Sequence, residues 1–331
     1  MIRGIGLIAL AGVQLLLTAS YALAATTAGT PRPAPTAVHL ASADAAVPVR
    51  RAKHHHHARV RMSADEPGLR SASALVIDET HSSVLYSRHA DVAAPIASIT
   101  KLMMALVVAD AKLPLDEPIQ VTNDDRSLHK GAYSRLTIGT VLTRGELIHL
   151  ALMSSENRAA HALGRTTYPG GVTQFVRAMN AKARALGMTS AHFVDPVGLS
   201  SENVASPEDL AKLVVAASHD ATIRRFSTDR EHAVTIGRRK VEFHNTNALV
   251  SNPTWDIIVQ KTGYITEAGK CLVMQVVIDD RKVVIILLNS YGRYTRVADA
   301  VRIRRWMEAR LNEHASHTAS HTASHTPAGK A

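Results

Sequence analysis

Cysteine is almost absent: the 331 residues hold one, Cys271. That excludes a disulfide framework. Cys271 sits in "GKCLVMQVVI", a β-branched apolar run that reads as a buried strand. It lacks the exposed, electropositive surroundings that make a thiol reactive, so an inert packed thiol is expected. Long hydrophobic runs are scarce too. Beyond the first 24 residues no stretch reaches the ~20 apolar residues of a spanning helix. Metal-ligand spacing is also missing. "HHHH" at 54–57 and the repeat "HASHTASHTASHT" from His314 have no second ligand cluster at fixed spacing, so no metal and no cofactor is expected.

What is present begins with "MIRGIGLIALAGVQLLLTASYALA", a basic start, a short apolar core and a small-x-small end at Ala22 and Ala24. This is the layout of a secretory signal peptide cut after Ala24, with an uncleaved membrane anchor as the alternative. Cleavage leaves no stable membrane anchor and an exported protein. The formal charge is +10, but residues 25–62 hold six Arg or Lys against one Asp. Much of the basicity therefore lies in an Ala/Pro/His-rich linker. It suits a solvated segment or one kept near an anionic polymer such as the cell wall, and no nucleic-acid partner is expected.

The expected organisation is a signal peptide at 1–24, a disordered linker at 25–65, one domain at 66–313 and a low-complexity tail at 314–331. In the domain, "SASALVIDET" and "SSVLYSRH" read as a hairpin, and helical patterns run from "KLMMALVVAD" through "SPEDLAKLVVAASHD". The last of these opens with Ser206, Pro207 and Glu208, a good helix start. Strands return in "DIIVQKTGY", "CLVMQVVIDD" and "KVVIILLN", and a helix follows through "YTRVADAVRIRRWMEARL". This order implies an α+β fold: an antiparallel sheet flanked by helices, with a sheet lobe at about 66–109 and 232–313 and a helical lobe at about 110–231.

Three short motifs carry chemistry. Ser98 and Lys101 in "ASITKLMMAL" lie three apart, so on a helix they share a face. A serine hydroxyl needs a base, and a lysine serves when burial lowers its pKa. Alone, Ser98 reads better as a helix cap than as a nucleophile, and a second Ser-x-x-Lys, Ser127 to Lys130, sits in a polar turn and reads as chance. Lys261-Thr262-Gly263 lies in a strand, where Lys brings positive charge, Thr a hydrogen bond and Gly a close approach to the backbone. Between them "SSEN" occurs twice, offering Ser155-Glu156-Asn157 or Ser201-Glu202-Asn203. The first lies between two helical patterns that can aim side chains into a shared cleft.

Ser-x-x-Lys, Ser-x-Asn and Lys-Thr-Gly in this order are the signature of penicillin-recognising serine enzymes. From about Ser71 to Leu311 the chain resembles the low-molecular-mass penicillin-binding proteins, and among them the D-alanyl-D-alanine endopeptidases. "IASITKLMMALVVADAKLP", "ALMSSENRAA", "AMNAKARALGM", "VQKTGYITEAGKCLVM" and "YTRVADA" carry the resemblance. It implies a β-lactamase/penicillin-binding-protein-like transpeptidase fold, peptidoglycan stem peptides as substrate and β-lactam antibiotics as covalent inhibitors. It also implies that Ser98 is the nucleophile, Lys101 its base and Ser155 a proton relay. Asn157, Lys261, Thr262 and Gly263 would bind substrate, and the backbone N–H groups of Ser98 and Tyr264 would form the oxyanion hole. Glu156 is expected to point away, as a solvated helix residue. A β-lactamase is disfavoured because no Glu-x-x-x-Asn falls between Asn157 and Lys261. A D-alanyl-D-alanine carboxypeptidase and a non-catalytic wall-binding protein remain as alternatives.

Overall fold

A computed structural model describes residues 66–126 and 133–323, with side chains to residue 310. These belong to one unit, Ala58–Ala331; the other unit, Met1–His57, lies outside the described residues. So do the expected signal peptide, the linker with its four histidines, and the second Ser-x-x-Lys at Ser127 and Lys130.

In chain order the elements are β1 (Ser71–Asp78), β2 (Ser83–Arg88), β3 (Ala94–Pro95), α1 (Thr100–Asp110), β4 (Pro118–Gln120), β5 (Val141–Thr143), α2 (Arg144–Met153), α3 (Asn157–Thr166) and α4 (Gly171–Ala185). Then come β6 (Val204–Ala205), α5 (Pro207–Ser218), α6 (Ala221–Thr228), β7 (Glu231–Ile236), β8 (Arg239–His244), β9 (Asp256–Ile265), β10 (Gly269–Ile278), β11 (Arg281–Ser290) and α7 (Thr295–Ala323). The main sheet has the order β2-β1-β11-β10-β9, with every pairing antiparallel. The expected hairpin β1–β2, the strands β9 to β11 and the α+β class are all present.

The sheet is buried on both faces, which is why β10 and β11 are apolar without alternation. Val283, Ile285 and Leu287 face α7, where Ala300, Ile303, Trp306 and Met307 cover them. Each large apolar side chain so buried contributes roughly 1.5–3 kcal/mol before entropy is subtracted. Val284, Ile286 and Leu288 face the other way, toward a core shared with α1, α2, α3 and α5. Cys271 joins that core, fully buried, and burial pushes its thiol up to about 11. The inert thiol expected from the sequence is found.

Helix α1 runs through this second core, with Thr100 to Val108 buried on all sides. Its N-terminus is therefore fixed in space. Helix α2 starts in a capping box, where Glu146 N–H donates to Thr143 Oγ1 and Thr143 N–H donates to Glu146 Oε2. Helix α5 starts as the sequence implied, with Ser206 Oγ accepting from Asp209 N–H and Pro207 in the first turn. The β7–β8 hairpin and α6 were not read from the sequence. The His/Thr/Ser repeat from His314 does not stop α7, whose backbone continues to Ala323, since no Gly or Pro intervenes before Pro327.

Candidate active site

The reactive centre is built at the entry to α1. Ser98 lies in a short 3-10 turn, Ala97–Ile99, immediately before the helix. It is not the cap of α1: Ile99 holds that position and makes no side-chain cap bond. Ala97 has φ 49°, a left-handed conformation uncommon for a residue with a Cβ. Packing holds it there. A Cβ on Gly198 would lie 2.0 Å from the Ala97 carbonyl oxygen, so only glycine fits against this turn. Thr100 Oγ1 donates to the same carbonyl at 2.8 Å. Ser155 is likewise left-handed, at φ 60°. Backbone strain thus falls on both serines' segments, as it does at many functional sites.

Lys101 is fully buried, one helical turn beyond Ser98. Its Nζ lies 2.9 Å from Ser98 Oγ, 3.0 Å from Asn157 Oδ1 and 2.7 Å from the Val197 carbonyl. Burial lowers its pKa from 10.5 to about 7, against the opposing pull of Asp195 and Glu156. The three partners matter chemically. Asn157 Oδ1 and the Val197 carbonyl only accept hydrogen bonds, so they hold two N–H groups. In the neutral amine the lone pair is then left for Ser98. The bland reading of Ser98 as a cap gives way to a serine hydrogen-bonded to a lysine that is neutral in part at pH 7.

The Val197 carbonyl is placed by the loop "DPVGLS". Asp195 Oδ1 accepts from Val197 N–H and Gly198 N–H, both at 2.6 Å, and Oδ2 from Ser200 N–H at 3.0 Å. Asn203, fully buried, clamps the base of this loop. Its Oδ1 accepts from Val194 N–H at 2.7 Å and its Nδ2 donates to Thr100 Oγ1 at 3.3 Å.

The two Ser-x-Asn candidates thus separate. Ser155 and Asn157 line the cleft beside Ser98. Ser201 and Glu202 are exposed, and Asn203 serves the loop. Glu156 departs from expectation. It is buried, its carboxylate bonds the Ser134 hydroxyl and Arg135 N–H (3.3 Å for the latter), and burial raises its pKa. It ties the start of α3 to the loop containing Tyr133, whose carbonyl accepts from Asn157 Nδ2. A polar side chain at a helix start, with N–H donors opposite, is drawn inward rather than solvated.

Strand β9 forms the far wall. A Cβ on Gly263 would approach Ser98 N to 3.2 Å and the Ile96 carbonyl to 2.8 Å, so this glycine lets the strand lie against the turn. Ser98 N–H is in the first turn, where no helical acceptor is available. Thr262 Oγ1 faces Thr246 Oγ1 at 2.7 Å, and both line the cleft. Lys261 does not reach the cleft surface. It is fully buried, with Nζ donating to the Thr262 carbonyl at 2.9 Å, and burial, with Lys101 and Arg296 nearby, holds its pKa far down. A cation that does line the wall is Arg296, half-buried in the first turn of α7, whose Nη1 donates to the Gly263 carbonyl at 3.2 Å. The cleft, of about 600 Å³, runs from Tyr133 to Tyr264 and Lys270.

Thr246, Arg296 and the Asp195 loop were not singled out in the sequence. The only hint was that "YTRVADA" belongs to the resembling stretches. Among the described residues, Glu231, Glu242 and His244 are the only three ligand-type side chains close enough to share a cation, and all are exposed on β7–β8, apart from this centre. No described helix is long and apolar enough to cross a membrane.

Comparison with known proteins agrees with this construction. The D-alanyl-D-alanine endopeptidase of Pseudomonas aeruginosa is 48% identical over 242 residues, covering 72% of this chain and 78% of that protein. The Escherichia coli D-alanyl-D-alanine endopeptidase is 45% identical over 248 residues, covering 74% and 80%. Among solved structures, the Streptomyces K15 DD-transpeptidase superposes with TM-score 0.67 at 26% identity, covering 73% of this chain and 98% of that one. A family model described as D-alanyl-D-alanine carboxypeptidase matches residues 60–292, which takes in the serine, the lysine and the β9 wall. The chain belongs to the D-alanyl-D-alanine carboxypeptidase family of serine peptidases.

Proposed function

We propose that the protein is a serine D,D-endopeptidase that hydrolyses D-alanyl cross-links between peptidoglycan stem peptides. The observation that carries the serine acyl-enzyme chemistry is the Lys101 Nζ to Ser98 Oγ contact of 2.9 Å, on a lysine whose pKa burial has brought to about 7. Neutral Lys101 takes the Ser98 proton as Oγ bonds to the D-alanyl carbonyl carbon. The carbonyl electrons move onto oxygen, which the Ser98 and Tyr264 N–H groups receive. When the intermediate collapses, the C–N bond breaks. The departing nitrogen gains the proton held on Lys101 through the Ser155 hydroxyl, leaving an ester on Ser98. Water then gives a proton to Lys101, adds to the ester carbon and releases the acid as Ser98 recovers its proton.

Asn157 does two things in this scheme. Its Oδ1 holds Lys101 and its amide faces the acyl side of the substrate. Thr262 and Arg296 meet the carboxylate on the leaving side, with Gly263 keeping the wall close and Lys261 bracing the Thr262 carbonyl from beneath the floor. A β-lactam enters by the same route and acylates Ser98. The chain is exported to the periplasm by the signal peptide at 1–24, and residues 66–313 form the peptidase domain between a linker and a tail. The relatives named endopeptidase favour this activity over the carboxypeptidase alternative, which uses the same groups.

The deciding test offers protein lacking residues 1–24 a cross-linked muropeptide dimer and, separately, a pentapeptide monomer. Products are read by mass spectrometry, with Ser98→Ala as control. Dimer split only when Ser98 is present supports the proposal. Loss of one terminal D-alanine from the pentapeptide, with the dimer intact, assigns a carboxypeptidase instead.

A further inference from the structure

Beyond Arg296, the leaving end of the cleft carries a second cation. Lys270 on β10 lies directly across from Tyr264 on β9, since the two are register partners. Its Nζ sits 4.1 Å from the centre of the Tyr264 ring, and both residues line the cleft with Arg296. The aromatic face holds an ammonium in place without neutralising it. Arg293, in the segment just before α7, lies over the Tyr294 ring and is close enough to act on Lys270. Partial burial, then Arg296 and Arg293, lower the Lys270 pKa. Among the described residues none of these three cations is in an ion pair. Glu267, the acid on the lining, is exposed and pairs with none of them.

Like charges gathered without a counter-ion are costly, and an anion placed between them relieves that cost. A carboxypeptidase needs one such anion, because it releases a single amino acid with one carboxylate. Splitting a cross-link releases a whole stem peptide, which has carboxylates beyond the one beside the scissile amide. We infer that Lys270 is a specificity-determining residue that holds a second carboxylate of the leaving peptide, while Arg296 holds the first. The inference rests on the endopeptidase reading and names what that site selects.

The test measures competition against acylation of Ser98 by a fluorescent penicillin. Two synthetic leaving-side peptides are compared, both with the carboxylate beside the amine. One has a second carboxylate and the other has it as the amide. In wild-type protein, amidation weakens competition about tenfold, the range of one charged hydrogen bond. In Lys270→Met and Lys270→Gln it weakens competition less than about twofold, and Lys270→Arg restores the discrimination. Equal loss in wild type and variants, no loss in wild type, or no competition by either peptide overturns the inference. Turnover of the cross-linked dimer is read in parallel. A protein that trims the pentapeptide and never splits the dimer removes the endopeptidase reading, whereas the competition still reports on Lys270.

Discussion

The tetrapeptide Ser-Ser-Glu-Asn occurs at 154–157 and again at 200–203, and the two copies have different fates. In the first, the backbone turns left-handed at Ser155, the glutamate goes inward, and the asparagine meets Lys101 Nζ. In the second, the serine and glutamate face solvent, and the asparagine is buried where it fastens the loop that presents the Val197 carbonyl to the same lysine. One copy touches the base directly and the other touches it through a loop. The residues are the same, so the flanking elements decide. A helix on each side delivers the first copy to the cleft. The second copy lies between the Asp195 loop and the two-residue strand β6.

Substitutions in and around the two copies separate these roles. The largest effect is expected at the shared target: Lys101→Met removes the base and slows penicillin acylation about 10³-fold, within the range of general-base catalysis. Stopped-flow fluorescence measures this, and a variant within tenfold of wild type would remove Lys101 from the chemistry. Next, Asn157→Ala is expected to slow acylation about 10²-fold while leaving thermal unfolding nearly unchanged. Asn203→Ala is expected to do the reverse. It leaves several buried backbone groups without a partner and costs about 2–3 kcal/mol of unfolding free energy, measured by urea denaturation. If both variants lose stability equally, the division between the copies fails.

The pH profile sharpens the same point. Acylation needs neutral Lys101, and its pKa is about 7 in the folded protein. The rate should therefore fall about tenfold per pH unit below that value and level off above it. A profile flat down to pH 5 would contradict a lysine base. The smallest effect belongs to Glu202→Ala. The side chain is exposed and makes no ion pair among the described residues, so stability should change by less than about 0.5 kcal/mol. Its twin is not so indifferent: Glu156→Gln should be costlier in denaturation, because the carboxylate is buried on Ser134 and Arg135.

What could be read from the sequence was local or strongly patterned. The run after Ser98 is apolar enough to be a buried helix, Ser206-Pro207 starts α5, and the β-branched runs of β10 and β11 mark strands covered on both faces. The Ser-x-x-Lys spacing placed Ser98 and Lys101 on one turn. The β7–β8 hairpin was missed although it has a signal, a two-residue connection with Gly237 at φ 62°. Its strands carry charges on their exposed positions and show little apolar period. Other features depend on contacts between distant residues. Arg296 reaches the cleft from the other end of the domain, and the Val197 carbonyl has no side chain to announce it. Lys261 and Arg296 exchange places between floor and wall because β9 is covered where Lys261 lies. Motif spacing shows that a lysine is near a serine, but burial decides whether that lysine is a base.

The central claim is that Ser98, and no other serine, becomes acylated because Lys101 takes its proton. The most direct measurement treats the wild-type protein, Ser98→Ala and Ser201→Ala with penicillin and maps the adduct by intact-mass and peptide mass spectrometry. The expected result is one adduct per chain on the peptide containing Ser98, absent from Ser98→Ala and undiminished in Ser201→Ala. An adduct on any other residue, or one that persists in Ser98→Ala, would contradict the account.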